Sequence, residues 1–188
     1  MNSKKPLGGK AYGSIPHLPT SRLGPGEHHI HEGQQRICLE TARDRHDQII
    51  VTEKLDGSCV SIANVDGSII ALSRAGYRAE TTPYEQHHIF ASWVSDRLEL
   101  FSKLLLPGMR LVGEWLALAH GTRYELWHEP FVLFDVMVDK KRLSHDVIAR
   151  TGKEMALPVA HCLWRGSPLS LQRAKKLLKL HSMVRLTL

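Results

Sequence analysis

Long apolar runs are missing from this sequence. No stretch approaches the ~20 residues that a bilayer-crossing helix needs, and the first residues carry no apolar block of the signal-peptide kind, so neither a span nor a leader is expected. Cysteine is scarce. Cys38, Cys59 and Cys162 are odd in number and widely scattered, which argues against a zinc ribbon and for a reducing, cytoplasmic setting. Repeats and low-complexity stretches are absent. Acidic residues are outnumbered, 19 against 25 Lys and Arg, for a formal net charge of +6, and that excess suits a phosphate-rich partner. What is present is 43% hydrophobic residues in a chain of 188, enough for one domain with a real core.

Residues 1–30, rich in Gly, Pro, Ser and Lys, read as an irregular segment preceding a domain over 31–188. A strand is expected from about Val51 to Lys54, and two more over Cys59–Val65 and Ser68–Ser73, joined by Asp66-Gly67, a two-residue hairpin signal. Thr82-Pro83-Tyr84-Glu85 has the form of a capping box. The apolar residues Phe90, Trp93, Val94, Leu98, Phe101, Leu104 and Leu105 then recur at helical spacing until Pro107-Gly108. Arg110–Leu118, Phe131–Val138 and Leu157–Trp164 read as strands, and Ser144–Arg150 as a short helix stopped by Gly152. Ser167-Pro168 opens a basic helix through His181. Antiparallel strands with a few helices make the class α+β.

The stretch "EKLDGS", Glu53–Ser58, places a lysine between a strand and a tight Asp56-Gly57 turn. A lysine attacks only when deprotonated, and burial or neighbouring cations favour that form. A turn here would leave Lys54 projecting rather than lying along a sheet. A surface lysine before a hairpin is the plain alternative. Glu114 alternates with Val112 and Leu116, so it shares a sheet face with apolar neighbours and needs a partner. Phe134 reads first as core, with Asp135 on the opposite face. "HHIH", His28–His31, has ligand-type side chains but no acidic or cysteine partner at ligand spacing, and His46-Asp47 lies in a polar stretch without partner histidines.

"EKLDGS" resembles motif I, K-x-D-G, of the covalent nucleotidyltransferases: DNA ligases, RNA ligases and mRNA capping enzymes. "SRAGYR" (Ser73–Arg78), "LVGEW" (Leu111–Trp115) and "FVLFDV" (Phe131–Val136) resemble motifs Ia, III and IIIa, in the family's order, and the likeness covers roughly residues 10–165. Ser58 and Cys59 after the Gly, "YGSIPHL" upstream and "GEWLALAHGTRY" downstream are most similar to ATP-dependent RNA ligases. The resemblance implies a ligase adenylation domain, ATP-grasp-like, with antiparallel sheets and flanking helices. It implies Lys54 as the residue that takes AMP, ATP and Mg²⁺ as cofactors, and RNA with 5′-phosphate and 3′-hydroxyl ends as partner. Glu53 would meet the adenine edge. Asp56 and Gly57 would belong to the nucleotide site, Arg74 would reach the sugar, a phosphate or the RNA 5′-phosphate, Glu114 would take a ribose hydroxyl, and Phe134 would stack on adenine. DNA ligation, capping, or a non-catalytic RNA-binding role are the alternatives.

The sequence departs from the family's pattern in one region. No Glu-Gly pair (motif IV) follows Val138 and no K-x-K (motif V) occurs. "AKKLLK", Ala174–Lys179, is helical in pattern, whereas K-x-K relies on strand alternation to put both lysines on one face. The expectation is a ligase-type domain that stops early, with little adenylation by this chain alone.

Overall fold

The computed structural model describes residues 4–118 and 124–181. They form two compact units, the first built from residues 4–13 and Leu55–Ala160, the second from Ser14–Lys54 and residues 161–181. The chain passes between them at Gly13/Ser14, Lys54/Leu55 and Ala160/His161.

The second unit opens with helix α1, Glu32–Leu39, which the sequence reading did not anticipate. His31 caps it, its Nδ1 accepting from the Gly33 N–H at 3.2 Å. Strand β1 is Ile49–Thr52. The hairpin after it belongs to the first unit: β2, Ser58–Val65, and β3, Ser68–Ser73. Asp66 and Gly67 take φ of 50° and 85° at its turn, the left-handed values that such two-residue turns require.

The long helix expected after Thr82 is two helices, α2 (Glu85–Ser95) and α3 (Leu98–Leu104). Thr82 does not cap α2. Its hydroxyl donates to the Ala79 carbonyl at 3.1 Å, finishing the single 3-10 turn Ala79–Thr81, and Tyr84 stands at the cap position without a side-chain bond. The break falls at Arg97 (φ −117°, ψ 19°), whose guanidinium lies over the Trp93 ring and donates to Glu129 at 2.6 Å. Trp93 Nε1 donates to the same carboxylate at 2.8 Å. These bonds lower the Glu129 pKa from its ordinary value, the Trp93 bond most and Arg97 after it.

Strands β4 (Met109–Trp115), β5 (Phe131–Val138) and β6 (Lys141–Arg142) complete a five-stranded antiparallel sheet of order β3-β2-β4-β5-β6. Helix α4, His145–Glu154, runs through Gly152 rather than stopping there. A Cβ at Gly152 would lie 2.2 Å from Val159 Cγ2, so this glycine serves close packing. The expected strand over Leu157–Trp164 is shorter: β7 is Cys162–Gly166, while Val159 makes one isolated parallel bridge to Leu133 in the first unit. The last helix, α5, is Leu171–His181.

One face of the five-stranded sheet carries the main core. Val60, Ile62, Leu111, Trp115, Phe131, Leu133 and Val136 pack with Phe90, Trp93, Phe101 and Ile148 of the helices. The rings of Phe90, Trp93, Trp115 and Phe131 meet at centroid distances of 5.3–6.2 Å, a separation at which aromatic pairs gain beyond their buried area. In the second unit, β1 pairs with β7 alone. A strand with one partner has little sheet to bury it, and β1 is accordingly half-buried over Ile49, Ile50 and Val51 and exposed at Thr52.

Candidate nucleotide-binding site

The second face of the five-stranded sheet is built differently. Val112 and Met137 pack there with Tyr12, Cys59 and Phe134, and Leu116 and Val132 pack with Leu55, Ala160 and Phe134. By strand alternation Glu114 lies on this face between Val112 and Leu116.

Glu114 is half-buried, and its Oε1 accepts from the backbone N–H of Gly57 at 3.0 Å. This bond ties the Asp56-Gly57 turn to the middle strand. Gly57 itself is demanded by contact: a Cβ there would sit 2.4 Å from the Trp115 carbonyl oxygen and 2.8 Å from Leu116 Cδ2. Asp56 is exposed, and its N–H donates to the Tyr124 hydroxyl at 2.7 Å. Of "AHGTRY", residues 119–123 lie outside the described residues, and Tyr124 is the member placed here.

Phe134 owes its position to a β-bulge. Gly113 pairs with Leu133 and Val112 with Asp135, so Phe134 is the extra residue on β5. The bulge corrects the expectation that Asp135 faces away from Phe134. Both meet Tyr12, Phe134 through an edge-on ring contact at 5.5 Å and Asp135 as acceptor from the Tyr12 hydroxyl at 2.8 Å. Arg142 Nε lies 3.2 Å from Asp135, with its guanidinium 4.8 Å from the centre of the Tyr12 ring. Burial raises the Tyr12 pKa, and the Asp135 charge raises it further, so the phenol stays a donor. Burial also raises Asp135, against the opposing pull of Tyr12 and Arg142.

Arg74 is exposed in the turn after β3, and its Nη2 reaches the Gly13 carbonyl at 3.4 Å. Its own carbonyl accepts from the N–H groups of Ala11 and Tyr12, which pins the amino-terminal segment beside it. Gly57, Glu114 and Phe134 are therefore brought onto one face. Asp56 stands at the adjoining turn, and Arg74 stands at the end of β3, linked to that face through the segment bearing Tyr12. Tyr12 and Arg142 were not foreseen as site residues. The visible signal for Tyr12 was a lone aromatic opening "YGSIPHL" within a Gly- and Lys-rich stretch.

Glu53 and Lys54 belong to the second unit. Glu53 is buried, and its N–H donates to the His161 carbonyl at 2.9 Å, extending the β1–β7 pairing by one bond. Lys54 follows it and is exposed. Elsewhere in this unit Arg43 grips Asp47 through two side-chain bonds of 2.9 and 2.7 Å, holding that carboxyl down to about 2 and engaging the acid that follows His46. Among the described residues, no group of three or more His, Cys, Asp or Glu side chains is placed to hold a metal ion.

Residues 47–185 match the protein family described as RNA ligase. Among solved structures, an archaeal ATP-dependent RNA ligase (form 2) has a TM-score of 0.53 at 20% identity, over 72% of this chain and 36% of that one. A mutant Naegleria gruberi RNA ligase with ATP and Mn has a TM-score of 0.55 at 19% identity, over 77% of this chain and 44% of that one. The Naegleria gruberi RNA ligase with PPi has a TM-score of 0.52 at 18% identity, over 66% and 38%. The chain thus spans less than half the length of these structures, and at such identities the likeness shows a shared fold. No curated protein gives a match.

Proposed function

This chain belongs to the RNA ligase family, and from that premise we propose that it carries the adenylyltransferase site of an ATP-dependent RNA ligase. The observation that carries the proposal is the 3.0 Å bond between Glu114 and the Gly57 N–H. It physically joins the segment resembling motif I to the segment resembling motif III. Phe134 presents an aromatic ring on the same sheet face.

In this reading the unprotonated Nζ of Lys54 attacks the α-phosphorus of ATP. A P–N bond forms, the bond to the bridging oxygen breaks, and pyrophosphate leaves. The 5′-phosphate of an RNA end then displaces the lysine and takes the AMP. A 3′-hydroxyl attacks that activated phosphate, and AMP departs as the phosphodiester closes. Glu53 meets the adenine edge and Phe134 stacks on the ring. Glu114 accepts from a ribose hydroxyl while keeping the Gly57 turn in place. Asp56 and Gly57 shape the turn that follows the nucleophile, and Arg74 supplies a cation for a phosphate. A positioned cation at developing phosphate charge is usually among the largest catalytic contributions.

Mg²⁺ enters this reading as part of the nucleotide complex, and none of the steps above depends on a metal site of the chain's own. Sealing such ends is RNA repair chemistry. No helix among the described residues is long and apolar enough to cross a membrane. The three scattered cysteines support a reducing, cytoplasmic setting for the reaction.

The test is incubation of the purified chain with α-labelled ATP and a divalent cation, followed by denaturation and detection of covalent label. Label from ATP but not GTP, passed on to 5′-phosphorylated RNA, is the expected result, at a low level in a sequence without the Glu-Gly and K-x-K motifs. Transfer only to nicked DNA would move the assignment to a DNA ligase, and label from GTP to a capping enzyme. RNA binding without label would leave a non-catalytic relative.

A further inference from the structure

The described charges of the second unit are unevenly distributed along the chain. All its acidic residues lie between Ser14 and Lys54, whereas residues 161–181 contain Arg165, Arg173, Lys175, Lys176 and Lys179 and no Asp or Glu. Each of these five cations is exposed. Four of them stand on one helix, α5, within seven residues. Lys175 and Lys179 are four apart and Arg173 and Lys176 three apart, so the cations form two adjacent rows along its surface.

The opposite side of α5 is already occupied. Leu171, Ala174 and Leu177 are half-buried, and the helix packs against β7. Arg173 lies over the Trp164 ring of that strand at 5.0 Å, and the Trp164 indole N–H donates to the Ser167 carbonyl at 3.0 Å. The seam of Leu171, Ala174 and Leu177 is spent on the helix's own sheet. A basic amphipathic helix that lies on a membrane needs that seam free to insert. What α5 offers outward is charge and the exposed Leu178, with a half-buried tryptophan beside it.

We propose that α5 is a phosphate-backbone docking surface for the RNA strand, separate from the nucleotide site. The choice of RNA rests on the ligase reading; the charge pattern itself calls for a polyanion. Lysines of this kind track a backbone without reading sequence, and an adjacent aromatic ring is a stacking platform for an unpaired base. The surface lies in the same unit as Lys54. It packs on β7, the strand that pairs with the one leading into that residue.

The test compares the full chain with a Lys175→Ala, Lys176→Ala, Lys179→Ala variant, using fluorescence anisotropy on a short 5′-phosphorylated single-stranded RNA across a salt series. Affinity at low salt should fall by about tenfold or more, and the slope of log affinity against log salt should shrink by about 2, the counterion release of three lost contacts. The matched Lys→Arg variant should bind as the parent does, with helical circular dichroism unchanged in both. Covalent AMP labelling needs no RNA and should be unaffected. Unchanged affinity and slope in the alanine variant would overturn the proposal, as would loss of affinity in the arginine variant. Tighter lysine-dependent binding to phosphatidylserine vesicles than to RNA would overturn it in favour of a membrane surface. Lysine-dependent RNA binding without AMP labelling would keep this surface and sink the ligase reading; labelling with lysine-independent RNA binding would do the reverse.

Discussion

The Glu114 carboxylate accepts a hydrogen bond from the Gly57 backbone at 3.0 Å, joining the turn after the lysine motif to the middle of the sheet. Glu114→Ala removes both the acceptor and the charge. We expect ATP affinity to drop by about tenfold, the loss of one hydrogen bond to a charged group, measured by calorimetric titration. Glu114→Gln keeps an acceptor for Gly57 and should lose less. Equal affinities for all three proteins would remove Glu114 from the nucleotide site.

Lys54→Ala should abolish covalent AMP while leaving the melting temperature nearly unchanged, because the side chain is exposed and exposed substitutions away from special features cost little. Labelling followed by denaturing electrophoresis reads the first, and a thermal melt reads the second. Persistent label on this variant would assign the nucleophile elsewhere.

Tyr12→Phe leaves the ring against Phe134 but deletes the hydroxyl that donates to Asp135 at 2.8 Å. Deleting a bond to a buried carboxylate costs about 1.5–3 kcal/mol, although Arg142 remains beside Asp135. The expected outcome is a clear loss in urea midpoint with only a modest change in ATP affinity. Phe134→Leu should show the opposite pattern, with most apolar burial kept and adenine stacking lost.

Gly57→Ala places a methyl against the Trp115 carbonyl and Leu116. The turn must shift, at a cost of about 1–3 kcal/mol for overpacking, and the Glu114 bond moves with it. Reduced stability together with reduced ATP binding is expected; a variant that melts and binds like the parent would show that the turn has slack.

Glu129 ionises more readily when folded than its ordinary value of 4.5, chiefly through the Trp93 N–H and then Arg97. A lowered folded value means the unfolded chain binds more protons at acid pH, so stability falls as pH falls. The contribution is complete above the unfolded value and is lost as pH drops through 4.5 and on through the lower folded value. Thermal melts across that range should flatten in Glu129→Gln. The carboxylate is partly exposed, so the effect is modest.

Much of the fold could be read from alternation and turns. Phe131–Val138 was legible to the residue as β5, and Asp66-Gly67 named its hairpin. Helix punctuation was less legible. Thr82 looked like a cap because its neighbours fit the pattern, but its hydroxyl found a carbonyl three residues back. Gly152 looked like a stop, yet its lack of a side chain admits Val159. Of the candidate site, Glu114 and Phe134 could be proposed from their strands. The contribution of Tyr12 could not, because it depends on contacts more than a hundred residues away in the chain.

The extra residue on β5 gives that strand a length requirement independent of its composition. Phe131, Leu133 and Val136 face the helices, while Val132, Phe134 and Met137 face the other way; that spacing of two and then three exists only with the added residue in place. A substitution at any of these positions alters one contact. Deleting a single residue between Leu133 and Val136 would close the bulge and restore plain alternation, so Val136 and Met137 would keep their layers, but only one side chain would remain where Phe134 and Asp135 now both meet Tyr12. Reading the strand in a related sequence therefore means counting residues before comparing them, since a homologue one residue shorter would keep the layers and lack the doubled position beside Tyr12.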